Sequence, residues 1–255
     1  MRKGKRKTMR TIIELNDLFF STQNVEIVKG VSYRFEEGKA TALVGPSGGG
    51  KSTVLKLAAG LLIPTSGSVA FRGFDLAYMN RAQNLAFRKH CAMVFQDSAL
   101  WANQDLYQNL DLPLRIHFPQ MPKPDREKRI KEVLAEVGYK RNLLIRPSQL
   151  SMGEQKLIAF ARAMLCRPRL LFLDEWTESL DDSNAQRLID LVQRIKDERG
   201  TIIFVCHNFR IIRTLADCIV MIVGGKVSLQ LTGEELAEDE HLIRHIEKGM
   251  ASNEV

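Results

Sequence analysis

The 255-residue sequence predicts an α/β fold: a parallel sheet with helices on its faces, joined by a mostly helical insert. Three observations point there. Apolar runs of strand length alternate with stretches of helical spacing. One such strand runs straight into a glycine cluster that opens a helix. Another ends in two adjacent acids.

Residues 11–44 alternate short apolar runs with turn signals such as Glu36-Glu37-Gly38 and read as strands. Ala40 to Val44 is an apolar strand ending at the glycines. From Ser52 to Leu62 the spacing turns helical, and Pro64 and Gly67 end that region. Residues 97–150 have another texture, punctuated by Pro113, Pro119, Pro122 and Pro124. There Ile130, Val133, Leu134 and Val137 fall on one helical face, with Gly138 as the stop. We read about 97–155 as a helical insert. Leu170 to Leu173 is a buried strand. Leu188, Leu191, Val192 and Ile195 mark a helix closed by Gly200. Thr201 to Cys206 is a strand again. Cys218 to Val223 and Lys226 to Leu231, joined at Gly224-Gly225, read as a hairpin. The organisation expected is a basic arm (1–10), one domain (11–232) and a charged helical tail (233–255).

Composition is that of a soluble globular protein, 45% apolar and 26% charged. No apolar run approaches the ~18 residues that span a bilayer. The basic N-terminus is not followed by the apolar core of a secretory signal, so a cytosolic protein is expected. Cys91, Cys166, Cys206 and Cys218 are widely spaced, which speaks against a disulfide framework or zinc site. The formal charge of +7 resides mostly in Arg2, Lys3, Lys5, Arg6, Lys7 and Arg10; without those six the body is at +1. Such an arm could meet nucleic acid or anionic lipid. The reading favoured is a basic disordered arm, or the product of an upstream start with Met9 as the second, and no specific nucleic-acid partner is expected.

Gly45-Pro46-Ser47-Gly48-Gly49-Gly50-Lys51-Ser52 fits G-x-x-x-x-G-K-[ST] between a predicted strand and a predicted helix. Triphosphates carry several negative charges and need many short-range donors. Glycines let backbone N–H groups curl around the phosphates, and the helix start adds partial positive charge. Lys51 is expected on the β- and γ-phosphates and Ser52 on Mg²⁺. Thr53 joins the ATP-binding set. The acids ending the Leu170 strand are Asp174 and Glu175, at the strand end where α/β sheets bind ligands. Asp174 is expected in the Mg²⁺ shell, and Glu175 as the base for the attacking water.

Leu150-Ser151-Met152-Gly153-Glu154 precedes this strand and resembles the signature of the ABC transporter ATPases, Leu-Ser-Gly-Gly-Gln in that family. Gln96 matches its Q-loop glutamine, Ser179-Leu180-Asp181 the end of its D-loop, and His207 its switch histidine. The resemblance covers about residues 11–232. It implies a P-loop NTPase with a RecA-like core, an antiparallel β subdomain and a helical subdomain. It also implies a head-to-tail homodimer, with each ATP between one copy's P-loop and the other's Ser151 and Gly153. By resemblance His207 contacts the γ-phosphate and attacking water. Gln96 links Mg²⁺ and catalysis to the insert, which meets integral membrane permease subunits. The protein would then lie peripherally on the cytoplasmic face of the inner membrane. Ser151 and Glu154 also form a capping box, which is compatible with an anion site at a helix start.

Four positions depart from the family pattern. Met152 replaces the first signature glycine, Leu157 a usual arginine and Trp176 a usual proline. The adenine-stacking aromatic would fall near Thr22, where only Phe19 and Phe20 are close. After Gln96, Asp97-Ser98-Ala99-Leu100-Trp101 and Asn109 to Arg115 resemble the ATPases of Mla (MCE-type) phospholipid transporters, implying an MCE-type substrate-binding partner. Polar amino acid importers share part of this, and insert packing also accounts for Leu110 to Leu114. Other readings stay open. A membrane-anchored cell-division ABC ATPase would share every ATP motif. A DNA-repair ATPase would need long coiled coils, absent between Lys51 and Ser151. A nucleotide kinase would leave the signature and His207 unexplained.

Overall fold

A computed structural model describes residues 10–233 and 235. The basic arm up to residue 9, and most of the charged tail, lie outside the described residues.

The strands, in chain order, are β1 (Thr11–Thr22), β2 (Val25–Glu36), β3 (Ala40–Val44), β4 (Ser66–Phe71), β5 (Phe74–Asp75), β6 (Cys91–Val94), β7 (Leu170–Asp174), β8 (Thr201–Val205), β9 (Cys218–Val223) and β10 (Lys226–Thr232). The helices are α1 (Lys51–Ala58), α2 (Arg81–His90), α3 (Leu106–His117), α4 (Lys123–Val137), α5 (Met152–Met164), α6 (Asp182–Asp197) and α7 (Phe209–Leu215). They build a six-stranded sheet in the order β10-β9-β3-β8-β7-β6 and a separate four-stranded antiparallel sheet, β2-β1-β4-β5. In the larger sheet all neighbours run parallel except the β9–β10 hairpin.

Every residue of β3, β7 and β8 is buried, as required of parallel strands covered on both faces. Their side chains alternate between two cores. Ala42, Val44, Leu171, Leu173, Ile202 and Phe204 face the core that includes the insert helices. Leu43, Leu170, Phe172, Ile203 and Val205 face α1 and the antiparallel sheet. The sheet contributes side chains to both cores, and its carboxyl ends hold the functional loops.

The expected strands 40–44, 170–173 and 201–206 are present within a residue or two, and so is the closing hairpin. The helix expected from Ser52 to Leu62 is shorter, ending at Ala58 with Gly60 at φ +61°. Gly138, at φ +82°, caps α4 as anticipated. Pro113 does not break the insert: it lies inside α3. The start of that helix is pinned by Asp105, whose side chain accepts from Gln108 N, and by fully buried Asn109. Asn109 Nδ2 donates to the carbonyls of Trp101, Gln104 and Asp105. Neither α2 nor β4 to β6 was legible in the sequence. Helix α2 buries only Phe87, so no apolar stripe announces it.

Leu110 and Leu114 on α3 are wholly buried in the insert core with Ile130, Val133 and Val137 of α4. Truncating Leu114 to alanine is expected to cost about 3 kcal/mol, through lost burial and an unfilled cavity, read as a lower urea midpoint. An unchanged midpoint would mean that α3 is not part of the core.

Candidate active site

The strand order β3-β8-β7 brings three loops side by side. The glycine loop follows β3, Asp174 and Glu175 end β7, and His207 follows β8 between them.

The loop backbone explains its residue types. Gly45, Gly48 and Gly50 have φ of +134°, +72° and +99°, values open to glycine but strained for other residues. A Cβ on Gly45 would lie 2.1 Å from the Ile222 carbonyl oxygen of β9, so size and conformation both demand glycine there. Gly49 N donates to Pro46 O at 3.1 Å, and Gly225 N of the hairpin turn to Gly49 O at 3.1 Å. The loop is thus tied to itself and to the β9–β10 turn. Ser47 and Gly48 at its crest are exposed. The Thr53 side chain, in the first turn of α1, is half-buried.

Lys51 is buried, and its Nζ donates to the carbonyls of Gly45 (2.9 Å) and Pro46 (2.8 Å). Burial lowers its pKa, and Glu175 and Asp174 pull it back up. Ser52 Oγ donates to Asp174 Oδ1 at 2.8 Å, bringing two of the three expected cation ligands together from the start of α1 and the end of β7. Asp174 is 1% exposed, and burial raises its pKa while Ser52 lowers it. The chemistry of this pair suits Mg²⁺, which favours hard oxygens and takes one or two protein groups, with phosphate and water filling the rest. Among the described residues no cluster of three or more His, Cys, Asp or Glu forms a closed metal cage.

Glu175 adopts φ +45°, a left-handed conformation for a long side chain, held by Glu175 N donating to Val205 O at 3.1 Å. Its carboxyl pKa is pushed up to about 7, first by burial and then by Asp174 and Glu178, against a hydrogen bond from the His207 backbone. His207 Nε2 lies 3.3 Å from Glu175 Oε1 but outside hydrogen-bond geometry, leaving that buried oxygen without a donor. Burial and then Lys51 lower the His207 pKa. A carboxylate able to take a proton near neutral pH thus stands beside a histidine and a phosphate cradle.

Gln96 is not joined to Ser52 or Asp174 by a hydrogen bond; its Nε2 donates to Glu178 Oε2 at 3.2 Å. Ser151 caps α5: its Oγ accepts from Glu154 N at 3.2 Å, while Glu154 Oε2 accepts from Ser151 N at 2.9 Å. Arg141 Nη1 donates to both Glu154 oxygens, at 2.8 and 2.9 Å, and this ion pair lowers the Glu154 pKa. Gly153 is needed for packing, since a Cβ there would lie 2.8 Å from the Ser179 carbonyl oxygen. No hydrogen bond joins Ser151 or Gly153 to the glycine loop among the described residues.

The departures have local explanations. Met152 is 70% exposed at the helix start. Leu157 is part of the insert core. Trp176 is fully buried, edge-on to Phe204 at 5.5 Å. Near the glycine loop the neighbouring side chain is aliphatic Ile27, beside Gly50, while Phe20 packs into the core with it. One contributor escaped sequence reading: Lys156, a buried lysine whose Nζ donates to the Phe95 and Gln96 carbonyls. Its signal was a charge at the start of the apolar run Leu157–Ala161 of α5.

The family model described as "ABC transporter" matches residues 28–178. A methionine import ATP-binding protein, MetN of Corynebacterium jeikeium, is 31% identical over 80% of this chain, which spans only 55% of MetN. The nickel import ATP-binding protein NikE of Escherichia coli is 35% identical over 84% of the chain and 81% of its own length. Among solved structures, a dimeric post-hydrolysis ATP-binding cassette bound to ADP and Pi superimposes with a TM-score of 0.80, at 25% identity over 87% of this chain and 98% of that one. CbiO1 of Clostridium perfringens, part of the CbiONQ transporter complex, gives 0.73 at 26% identity over 93% and 94% of the two chains. These relatives carry no sign specific to phospholipid transport.

Proposed function

The chain belongs to the ABC transporter ATP-binding family, and on that premise we propose that it is the ATP-hydrolysing engine of a membrane transporter. The observation that carries this is the meeting of Ser52 with Asp174 beside buried Lys51 and the elevated carboxyl of Glu175. In this reading the amides of Gly45 to Ser52 and the Thr53 helix turn bind the ATP phosphates, and Lys51 turns from its loop carbonyls to the β- and γ-oxygens. Bound Mg²⁺, held by Ser52 and Asp174 with Gln96 nearby, would supply charge neutralisation on the phosphates. Glu175 takes the proton from the attacking water, and His207 orients that water against the γ-phosphate. Ser151 and Gly153 complete the site on the ATP of a second copy, which accounts for their separation from the glycine loop within one chain. The homodimer would act from the cytoplasmic face of the membrane on integral permease subunits. Among the described residues no helix is long and apolar enough to cross a membrane.

Two cargo readings rest on different observations. The stretches after Gln96 favour phospholipid, with an MCE-type binding subunit, and leave Trp101 exposed on the insert. The names of the relatives favour small-solute import. Burial of Leu110 and Leu114 accounts for part of the first signal by packing alone. Purifying the chain from membranes with its partners tests both. An integral permease should co-purify and stimulate ATP hydrolysis. Phospholipid with an MCE-type subunit supports the first cargo, and an amino acid- or metal-binding subunit supports the second. Hydrolysis without any membrane partner, in membranes that hold one, would overturn the transport reading.

A further inference from the structure

Helix α5 sends two cationic side chains inward onto the segment that carries Gln96. Lys156, 3% exposed, donates to the carbonyls of Phe95 and Gln96. Arg162, a turn and a half further on, donates to the carbonyls of Ala99 (2.8 Å) and Ser98 (3.1 Å). Four of the five carbonyls from Phe95 to Ala99 are therefore held by one helix. The segment needs that grip. Ser98 and Ala99 are consecutive left-handed residues, at φ +63° and +44°, and Ser98 is buried. Ser98 N to Phe95 O, at 3.1 Å, is the turn's own backbone bond. Burial lowers the Lys156 pKa, while Glu178, then Asp174 and Asp97, sustain its charge.

We propose that Lys156 is a positioning residue for Gln96: it welds the Gln96 main chain to the helix that begins at Ser151. The Gln96 amide then reaches the phosphate-and-cation site only when α5 moves with it. The physical basis is ordinary. Two hydrogen bonds from a buried ammonium to main-chain carbonyls are charge-assisted and directional, and they fix the backbone rather than a mobile side chain. The inference rests on the role proposed above for Gln96.

The test uses the full-length chain with Lys156→Met, Lys156→Arg and Gln96→Ala. Hydrogen exchange of amides 95–99 is read without nucleotide. Affinity for a non-hydrolysable ATP analogue is read in Mg²⁺ and in EDTA, and kcat and KM are read with ATP. Lys156→Met is expected to speed exchange in 95–99 about tenfold, the loss of roughly one net hydrogen bond. It should cut the Mg²⁺-dependent gain in affinity to the level of Gln96→Ala and lower kcat with little change in KM. Affinity in EDTA should stay unchanged, and Lys156→Arg should restore most of the loss. Unaltered exchange, or an unaltered Mg²⁺ gain while Gln96→Ala loses it, overturns the proposal. So does a loss of EDTA binding that arginine does not rescue, which marks Lys156 as packing alone. If Gln96→Ala itself keeps the full Mg²⁺ gain, the role given to Gln96 fails instead, and the exchange data still judge the hold of Lys156 on the segment.

Discussion

Glu175→Gln is expected to leave ATP binding intact while cutting turnover about a hundredfold or more, the scale set by loss of a general base. The amide keeps the size of the side chain, so the φ +45° turn and the Glu175 N bond to Val205 O should persist. What it loses is the capacity to accept a proton. Phosphate release against nucleotide binding on the same preparation separates the two steps, and an unchanged rate would remove Glu175 from the mechanism. On the proposed pairing of two copies around ATP, nucleotide-bound dimers should also accumulate when hydrolysis is blocked.

The elevated carboxyl makes this variant informative about pH as well. A base with a pKa pushed up to about 7 is largely protonated in weak acid, so turnover of the unaltered protein should climb through that pH and level off above it. Stability runs the other way. The folded pKa exceeds the ordinary carboxyl value of 4.5, so the protein binds more protons folded than unfolded. The stabilising contribution is complete below 4.5 and is lost as pH rises through about 7. Above that pH a buried negative charge is carried at a cost, which glutamine removes. Glu175→Gln should therefore melt higher than the unaltered protein at pH 8, by up to ~3 kcal/mol of stability, with the gap closing toward pH 5. An equal gap at both pH values would mean that Glu175 does not titrate in this range. Asp174 is also raised by burial and adds in the same direction.

How much of this was legible in the sequence depended on whether a signal was local. The β3 strand, its glycines and Lys51 form one contiguous stretch whose residue types are dictated by backbone sterics and phosphate charge. They could be read without a third dimension. The Leu170 strand could be read as buried because parallel strands are apolar on both faces. The two-core alternation, the meeting of Ser52 with Asp174 and the placing of His207 between them depend on strand order. Periodicity does not encode strand order; P-loop chemistry supplied the shared cation role of Ser52 and Asp174, the family resemblance supplied the role of His207, and the two-core alternation was not anticipated. Helix α2 escaped because it covers little more than Phe87. Pro113 was read only as punctuation of the insert; it sits within a helix whose start is independently secured by Asp105 and Asn109. Lys156 escaped for the opposite reason. A lysine is read as surface by default, and only the fold reveals two carbonyls waiting for it.

Lys51→Ala should have the largest effect on binding of any single replacement in the chain. An ammonium reaching two phosphates provides charge-assisted bonds of roughly 1.5–3 kcal/mol each, so ATP affinity should fall about a hundredfold or more and hydrolysis with it. The fold should survive the change. Nζ bonds only to the Gly45 and Pro46 carbonyls of the same loop, so the loss is set against relief from burying a charge. A net cost near 1 kcal/mol, seen as a small shift in melting temperature, is expected. This near-neutrality makes the measurement decisive, because lost ATP binding could not be ascribed to unfolding. The loop's glycines would still form their nest of amides, and residual phosphate affinity should persist through those N–H groups. Arginine at position 51 should not restore function, since a planar guanidinium cannot take the place of a compact ammonium that donates to the Gly45 and Pro46 carbonyls. Equilibrium binding of labelled ATP with Mg²⁺ decides the matter. Affinity undiminished in Lys51→Ala would mean that the phosphates bind elsewhere, and the roles assigned to Ser52, Asp174 and Glu175 would lose their common substrate.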